Sequence, residues 1–362
     1  MAQYVIIGNG VAAIGCIEGI RKEDTQNKII VNSEEPHPVY CRPLISYYLE
    51  GKTDLEKMAY RNPNFYDEMN CEVLYGRKAV RIDNTTKQIT LNDETIIPYD
   101  KLCIATGSSP FIPPFAGLET VEQKYSFMTL DNMLELESAI DKDSKVLIIG
   151  AGLIGLKCAE GLKDRVCSIT VCDLAERVLS SILDSDCAAM MQKHLEANGI
   201  QFMLGDSAVS FDQNTALMKS GKTVNFDILV LAILPNAYMQ GNCAGINMSG
   251  GTAIFDKAIP MNSIGFFGLH VMTADSYYTT DEGGELYEEK TENTLKRLFT
   301  RDGYLTGFIL IGNTDTSRAG IYTSLIREHT PLNSIDFETL KRGEISTAFS
   351  YEKRKHIFGG VV

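Results

Sequence analysis

Val5-Ile6-Ile7-Gly8-Asn9-Gly10-Val11-Ala12-Ala13 reads as a buried strand, a glycine turn and the start of a helix. Val146-Leu147-Ile148-Ile149-Gly150-Ala151-Gly152-Leu153-Ile154-Gly155 repeats the pattern about 140 positions later. In each, the first glycine makes a turn that a Cβ would block, and the second lets the backbone approach a pyrophosphate. The third small residue packs the helix onto its strand, and the helix N-terminus points positive charge density at the phosphates. One such motif is a weak signal, whereas two at this spacing predict two dinucleotide sites. The economical assignment is FAD at the first and a nicotinamide dinucleotide at the second.

The rest of the composition narrows the class. At 362 residues the chain suits two or three domains, and 44% hydrophobic with 22% charged residues is ordinary for a soluble protein. A net charge of −13 argues against a nucleic-acid or anionic-membrane partner, because it repels phosphate. The longest apolar run, Ile228 to Leu234, falls far short of the roughly 20 residues that a membrane span requires. No basic, apolar, small-residue signal pattern opens the chain, which predicts a cytoplasmic protein. Its nine cysteines are then expected as reduced thiols. Cys167 and Cys172 have a redox-disulfide spacing, but on a strand they point to opposite faces roughly 16 Å apart. A disulfide needs Cα atoms within about 7 Å, so both read as packing residues.

Along the chain, a strand (Tyr4 to Ile7), a helix (Val11 to Arg21) and a strand (Lys28 to Asn32) lead to Glu34 and Glu35, placed where an acid holds an adenosine ribose. The stiff loop His37 to Leu44 carries Arg42, a natural partner for a pyrophosphate or flavin carbonyl. Met69 to Asp83 and Gln88 to Leu91 read as hairpin strands around Asn84-Thr85-Thr86. Tyr99 to Ile104 runs into Ala105-Thr106-Gly107, and prolines 110, 113 and 114 mark a domain boundary. A helix over Asp131 to Ile140 opens the second unit, and its strand Ser168 to Cys172 ends at Asp173, 23 positions after Gly150. A carboxylate there holds the ribose hydroxyls of NAD and repels the phosphate of NADP, with Arg177 nearby as the opposing feature. A helix over Asp186 to Asn198 and a strand over Phe226 to Ile233 follow. From about Ala258 short strands take over, with Leu295 to Phe299 and Leu305 to Ile311 as a hairpin and a helix over Ala319 to Arg327.

Both glycine motifs, Tyr40-Cys41-Arg42-Pro43-Leu44, Ala105-Thr106-Gly107 and the C-terminal hairpin region together resemble the pyridine nucleotide-disulfide oxidoreductase family. Within it, the resemblance is to the NADH-dependent rubredoxin, ferredoxin and nitrite reductase flavoproteins. It implies an α/β fold of two Rossmann-like three-layer nucleotide-binding domains and a small C-terminal α+β interface domain. The expected boundaries are 1–116 with 234–257 for FAD, 117–233 for NAD, and 258–362 for the interface and dimerisation domain. FAD is implied on Gly8, Gly10, Val11, Ala12 and Ala13, on Ser33 and Glu34, on Arg42, Pro43 and Ala79, and on Ala105, Thr106 and Gly107. NADH is implied on Gly150, Gly152, Leu153, Ile154, Gly155 and Asp173, with hydride passing to the flavin N5. The implied partner is a small electron-carrier protein or an iron-sulfur subunit, and the implied oligomer a homodimer.

Four departures from that pattern carry information. No redox-active cysteine stands at the matching position, and Cys41, two residues short of it, is the candidate for an alternative oxidase, peroxide reductase or coenzyme A disulfide reductase activity. Tyr47 replaces a lysine found near the flavin in related reductases, and Lys157 replaces the acid paired with it. Lys157 is therefore expected to supply the charge that stabilises reduced flavin, making Lys157 and Tyr47 the catalytic candidates. After Ile233 the chain runs directly into Leu234 to Gly241, where the family has a segment ending in a glycine-aspartate pair that holds the flavin ribityl chain. That gap supports a third reading, a non-catalytic nucleotide-binding subunit without stable FAD. Finally, His329-Thr330-Pro331 reads as a solvated loop rather than a proton-donating histidine, and no histidine has metal-ligand spacing, so no metal is expected.

Overall fold

The structure, a computed structural model, describes residues 2–109, 112–231, 238–254, 259–275, 282–312, 319–343 and 348. The chain divides into two compact units, Met1–Cys172 with Ser207–Asp256, and Asp173–Asp206 with Lys257–Val362. Among the described residues no helix is long and apolar enough to cross a membrane.

The first unit begins with β1 (Tyr4–Ile7), α1 (Val11–Glu23), β2 (Ile29–Asn32), α2 (Ile45–Leu49), α3 (Phe65–Glu68) and β3 (Cys71–Leu74). An antiparallel ladder of β4 (Ala79–Asp83), β5 (Gln88–Leu91) and β6 (Ile96–Pro98) precedes β7 (Lys101–Ile104). The parallel sheet runs β3-β2-β1-β7. Its β1, and β2 up to the polar Asn32, are apolar runs because both faces are covered: Ile14, Ile17 and Ile20 of α1 bury against Tyr4, Ile6, Ile29 and Val31, while Val5, Ile7 and Ile30 face Ile89, Leu91 and Ile97.

The expected hairpin needs correcting at its first strand. Met69 to Asp83 is not continuous: Gly76, at φ 66°, lies in the break between β3 and β4. β3 joins the parallel sheet beside β2, and only β4 forms the hairpin with β5. That turn is closed by the Asp83 carboxylate, which accepts from Thr85 N (2.9 Å) and Thr86 N (3.0 Å).

The unit continues through β8 (Lys124–Ser126), α4 (Leu130–Ala139), β9 (Lys145–Ile149), α5 (Leu153–Leu162) and β10 (Ser168–Asp173). A Thr129 capping box starts α4. The chain then leaves for α6 (Ser185–Ala197) and β11 (Ile200–Leu204), which belong to the second unit. It returns as a small ladder, β12 (Ala208–Asp212), β13 (Thr215–Met218) and β14 (Thr223–Asn225), then β15 (Ile228–Leu231) and α7 (Tyr238–Met248). β10, β9, β15 and β8 lie side by side in parallel. α7 lies backbone to backbone on α1: a Cβ on Gly241 would fall on the Ala12 carbonyl, and one on Gly245 on the Cys16 carbonyl. The cysteine expectation holds in part. Cys172 is buried in β10, but Cys167 precedes the strand and is exposed, so it is not a packing residue; both are free thiols.

In the second unit, β16 (Met261–Phe266), β17 (Leu269–Asp275), β18 (Gly284–Lys290), β19 (Leu295–Arg301) and β20 (Tyr304–Ile311) form an antiparallel sheet ordered β16-β17-β20-β19-β18. The expected hairpin is β19–β20, turned at Asp302-Gly303 with both residues at positive φ. α8 (Ala319–Arg327) buries Tyr322 and Leu325 against Leu298, Phe308 and Leu310, and α9 (Phe337–Lys341) adds Leu340.

Candidate functional site

The first glycine turn is built where β1 stops. Gly8 takes φ 104° and donates to Asn32 O at 2.7 Å. A Cβ there would fall on the Ala105 carbonyl, so Ala105-Thr106-Gly107, leaving β7, crosses directly over the turn. Gly10 then N-caps α1 without any side-chain cap, leaving the first N–H groups of the helix for an anion. A Cβ on Gly10 would meet nothing within 4 Å, so the backbone can be approached there. Between the glycines, Asn9 Oδ1 accepts from Tyr66 OH at 2.6 Å, and its buried Nδ2 has no partner among the described residues. An open cradle on a bare helix N-terminus, with an orphaned amide donor beside it, fits a dinucleotide.

The loop after β2 is tied down by its own polar groups. Ser33 is buried, and its hydroxyl donates to Glu35 O at 2.7 Å. Glu34 is exposed and pairs with Lys78 at 2.8 Å. Glu35 is engaged inside the loop, accepting from Arg42 (2.6 Å) and from Tyr40 OH (2.6 Å). Tyr40 OH also accepts from Leu130 N (2.8 Å), and His37 meets Asp131 at 2.6 Å, so the loop is fastened to the first turn of α4. Burial and the Glu35 contact hold the Tyr40 phenol well above its ordinary range. Pro43 is exposed in the short turn Arg42–Leu44, and Ala79 opens β4.

Tyr47 and Lys157 are brought together. Tyr47 lies on α2 and Lys157 one turn into α5, with the ammonium 4.4 Å from the ring centroid. Lys157 is 9% exposed and is hydrogen-bonded to Glu160, itself buried. Cys41 is half-buried, and desolvation pushes its thiol pKa up, against what a reactive thiolate requires.

The second turn repeats the first. Gly150 takes φ 117° and donates to Cys172 O at 2.8 Å. Gly152 N-caps α5 with open space in front of it, and a Cβ on Gly155 would fall on the Gly150 carbonyl, so α5 packs on the turn only because that residue is glycine. Leu153 and Ile154 supply the first turn of α5. Asp173 ends β10, and its carboxylate accepts from Ala175 N at 2.8 Å. Arg177 donates to the carbonyls of Leu183 (3.2 Å) and Ser180 (3.4 Å). Elsewhere, His329 is exposed and stacked on Tyr304 at 3.8 Å between ring centroids. Among the described residues no cluster of three metal-ligating side chains occurs.

Sequence reasoning missed Asn9, Tyr66, the bridging roles of Glu35 and Tyr40, and Glu160. Only Glu160 had a local signal, an acid three residues after a lysine on a predicted helix. The glycine-aspartate question after Ile233 falls in 232–237, outside the described residues.

The sequence pattern described as pyridine nucleotide-disulphide oxidoreductase matches residues 2–263. The NADH-dependent phenylglyoxylate dehydrogenase subunit epsilon of Aromatoleum evansii is 28% identical, over 92% of this chain and 93% of its own length. The assimilatory nitrate reductase electron transfer subunit of Bacillus subtilis (strain 168) is 31% identical over 70% of this chain, which spans only 34% of that protein. Among solved structures, the covalent putidaredoxin reductase–putidaredoxin complex aligns at TM-score 0.78 over 90% of this chain and 94% of the other, with 18% identity. The water-forming NADH oxidase from Lactobacillus brevis aligns at TM-score 0.81 over 92% of each chain, with 16% identity. At those identities the structures establish the fold alone. With two open glycine cradles of matching geometry and a family match over most of its length, the chain belongs to the pyridine nucleotide-disulphide oxidoreductases, NAD(P)H-dependent flavoprotein enzymes that work with FAD and NAD(H).

Proposed function

We propose that the protein oxidises NADH through FAD and delivers the electrons to a small iron-sulfur carrier or partner subunit. The observation that carries this is the pair of matched turns in one unit, each opening on an uncapped helix N-terminus. In this reading FAD lies on Gly10 to Ala13 beneath Ala105-Thr106-Gly107, with Ser33 and Glu34 toward its ribose and Arg42 toward its phosphates or ring. NADH lies on Gly152 to Gly155 with its ribose on Asp173. The bound flavin supplies the conversion of a two-electron donor into one-electron deliveries. The protein contributes placement and charge: Glu35 and Tyr40 fix Arg42, and Glu160 and Tyr47 fix Lys157 as a cation for reduced flavin. The Arg177 contacts with backbone carbonyls support NADH over NADPH. The domain boundaries at 116, 233 and 257, a homodimer through the C-terminal sheet and a cytoplasmic location belong to the same reading; nine free thiols support the last.

The visible spectrum of the purified protein before and after anaerobic NADH tests this reading. A flavin band that bleaches, and is restored faster by a one-electron iron-sulfur protein than by oxygen, peroxide or coenzyme A disulfide, is the expected result. Faster restoration by the last three, abolished in Cys41→Ser, would establish the oxidase or disulfide alternative instead. A second reading, a nucleotide-binding subunit without stable FAD, draws on β7. It is the last strand of its sheet among the described residues, and its Ile104 is 63% exposed. A colourless protein that FAD does not reconstitute would favour that reading.

A further inference from the structure

The second unit contains a charge cluster that the proposed reaction does not use. Arg297 on β19 is 8% exposed, and three carboxylates surround its guanidinium. Glu288, its cross-strand neighbour on β18, accepts from Nε at 2.6 Å. Asp186 accepts from Nη2 at 2.9 Å, and Asp184 from Nη1. A planar guanidinium with five donors suits such a fork, whereas a lysine would satisfy fewer of these contacts. Asp184 is also the N-cap of α6, accepting from Cys187 N at 3.0 Å.

Asp184 closes the loop that Asp173 opens. At the near end, Asp173 O accepts from Asp206 N (3.2 Å) and Ala175 O from Gly205 N (2.9 Å). In the middle, Val178 and Leu179 are buried and Arg177 bonds the carbonyls of Ser180 and Leu183. These contacts are all local to 173–206. Arg297 reaches the far end of the loop from the C-terminal sheet, while His194, at the other end of α6, meets Phe266 O at 3.0 Å.

We propose that Arg297 is a positioning residue for the coenzyme: by gripping Asp184 and Asp186 at the start of α6, it fixes the loop that begins at Asp173 and so sets the affinity for the adenosine half of NADH. This rests on the reading that Asp173 holds the NADH ribose. The C-terminal sheet thereby acquires a part in coenzyme recognition besides any interface role.

The test is anaerobic reduction of the FAD-loaded protein, titrated with NADH and, separately, with reduced nicotinamide mononucleotide, which lacks the adenosine half. Arg297→Lys should weaken NADH binding about tenfold, with the saturating rate and flavin content unchanged. Asp186→Asn, which removes the most exposed of the three acids and folds more safely, should weaken it about two- to threefold. Neither variant should change the response to the mononucleotide, and His194→Gln should change neither titration. Equal weakening with both reductants would mark a general structural role and overturn the proposal; so would unchanged NADH affinity in both variants. Asp173→Ala separates the two claims. If it leaves NADH affinity unchanged, the ribose reading fails; if it weakens NADH while Arg297→Lys and Asp186→Asn do not, only the positioning role fails.

Discussion

The two glycine turns have nearly the same backbone and different dependencies. Gly8 and Gly150 sit at φ 104° and 117°, each donating to the end of the neighbouring strand, and Gly10 and Gly152 cap their helices at φ −93° and −84°. At the fifth position after the first glycine, the second turn needs Gly155 because a Cβ would strike its own Gly150 carbonyl, whereas the first holds the buried Ala13. The first turn is constrained from outside, by Ala105 crossing Gly8 and by Gly241 lying on Ala12. One motif can thus be self-contained at one site and completed by distant chain at another.

That contrast can be broken by substitution. Gly8→Ala combines a left-handed backbone with a collision against Ala105, and should cost about 3 kcal/mol or more. The expected result is loss of flavin absorbance with NAD+ binding retained; stoichiometric flavin in this variant would show that the first turn does not depend on Ala105. Gly155→Ala should cost about 1–3 kcal/mol and give the converse, a normal flavin spectrum with NADH binding weakened at least severalfold, read by isothermal titration.

Two smaller effects sharpen the comparison. Lys157→Ala should slow flavin reduction by NADH about tenfold, and an unchanged stopped-flow rate disposes of its role; Lys157→Arg should restore part of it. The smallest effect concerns the far end of α1. Asp24 accepts from Asn27 N and Nδ2, Tyr4 OH and Gln26 N, and the Asn27 contacts above all hold its carboxyl well below the usual range. A carboxyl whose pKa is lower folded than unfolded contributes stability above the unfolded value, and that stability is lost as pH falls through the folded one. Asp24→Asn should therefore lower Tm at pH 7, with the gap to the parent closing below about pH 4. A gap independent of pH would assign the loss to shape rather than charge.

Both turns, their helices and the β19–β20 hairpin were legible because their signals are local: apolar runs, glycines at fixed offsets, a two-residue turn. What failed required knowledge of partners. Cys71 to Leu74 and Ala79 to Asp83 carry similar β patterns, yet one pairs with β2 in parallel and the other with β5 antiparallel; only Gly76 hints at the break. The Asn9–Tyr66 contact spans 57 residues and leaves no periodic trace. The sequence sets Glu34 and Glu35 side by side near the ribose position, but whether Glu35 faces outward or grips Arg42 depends on how the proline-stiffened loop folds back. Lys157 and Tyr47 could be matched because each departs from a family pattern, while their contact is a tertiary fact.

The packing of α7 on α1 has a consequence for how the polypeptide is made. During synthesis the first turn leaves the ribosome early, but the glycines that seat on Ala12 and Cys16 are translated more than two hundred codons later. The strands β8 to β10 and β15 are all made in between. The lobe begun first is closed only after the second turn and its strands have been made, and one face of its helix stays bare until then, a long-range closure of the kind that slows folding and invites aggregation. Shortening the chain from its C-terminus to a point between Leu231 and Gly241 would therefore keep the strands and turn of the second cradle and remove the helix that seats on the first.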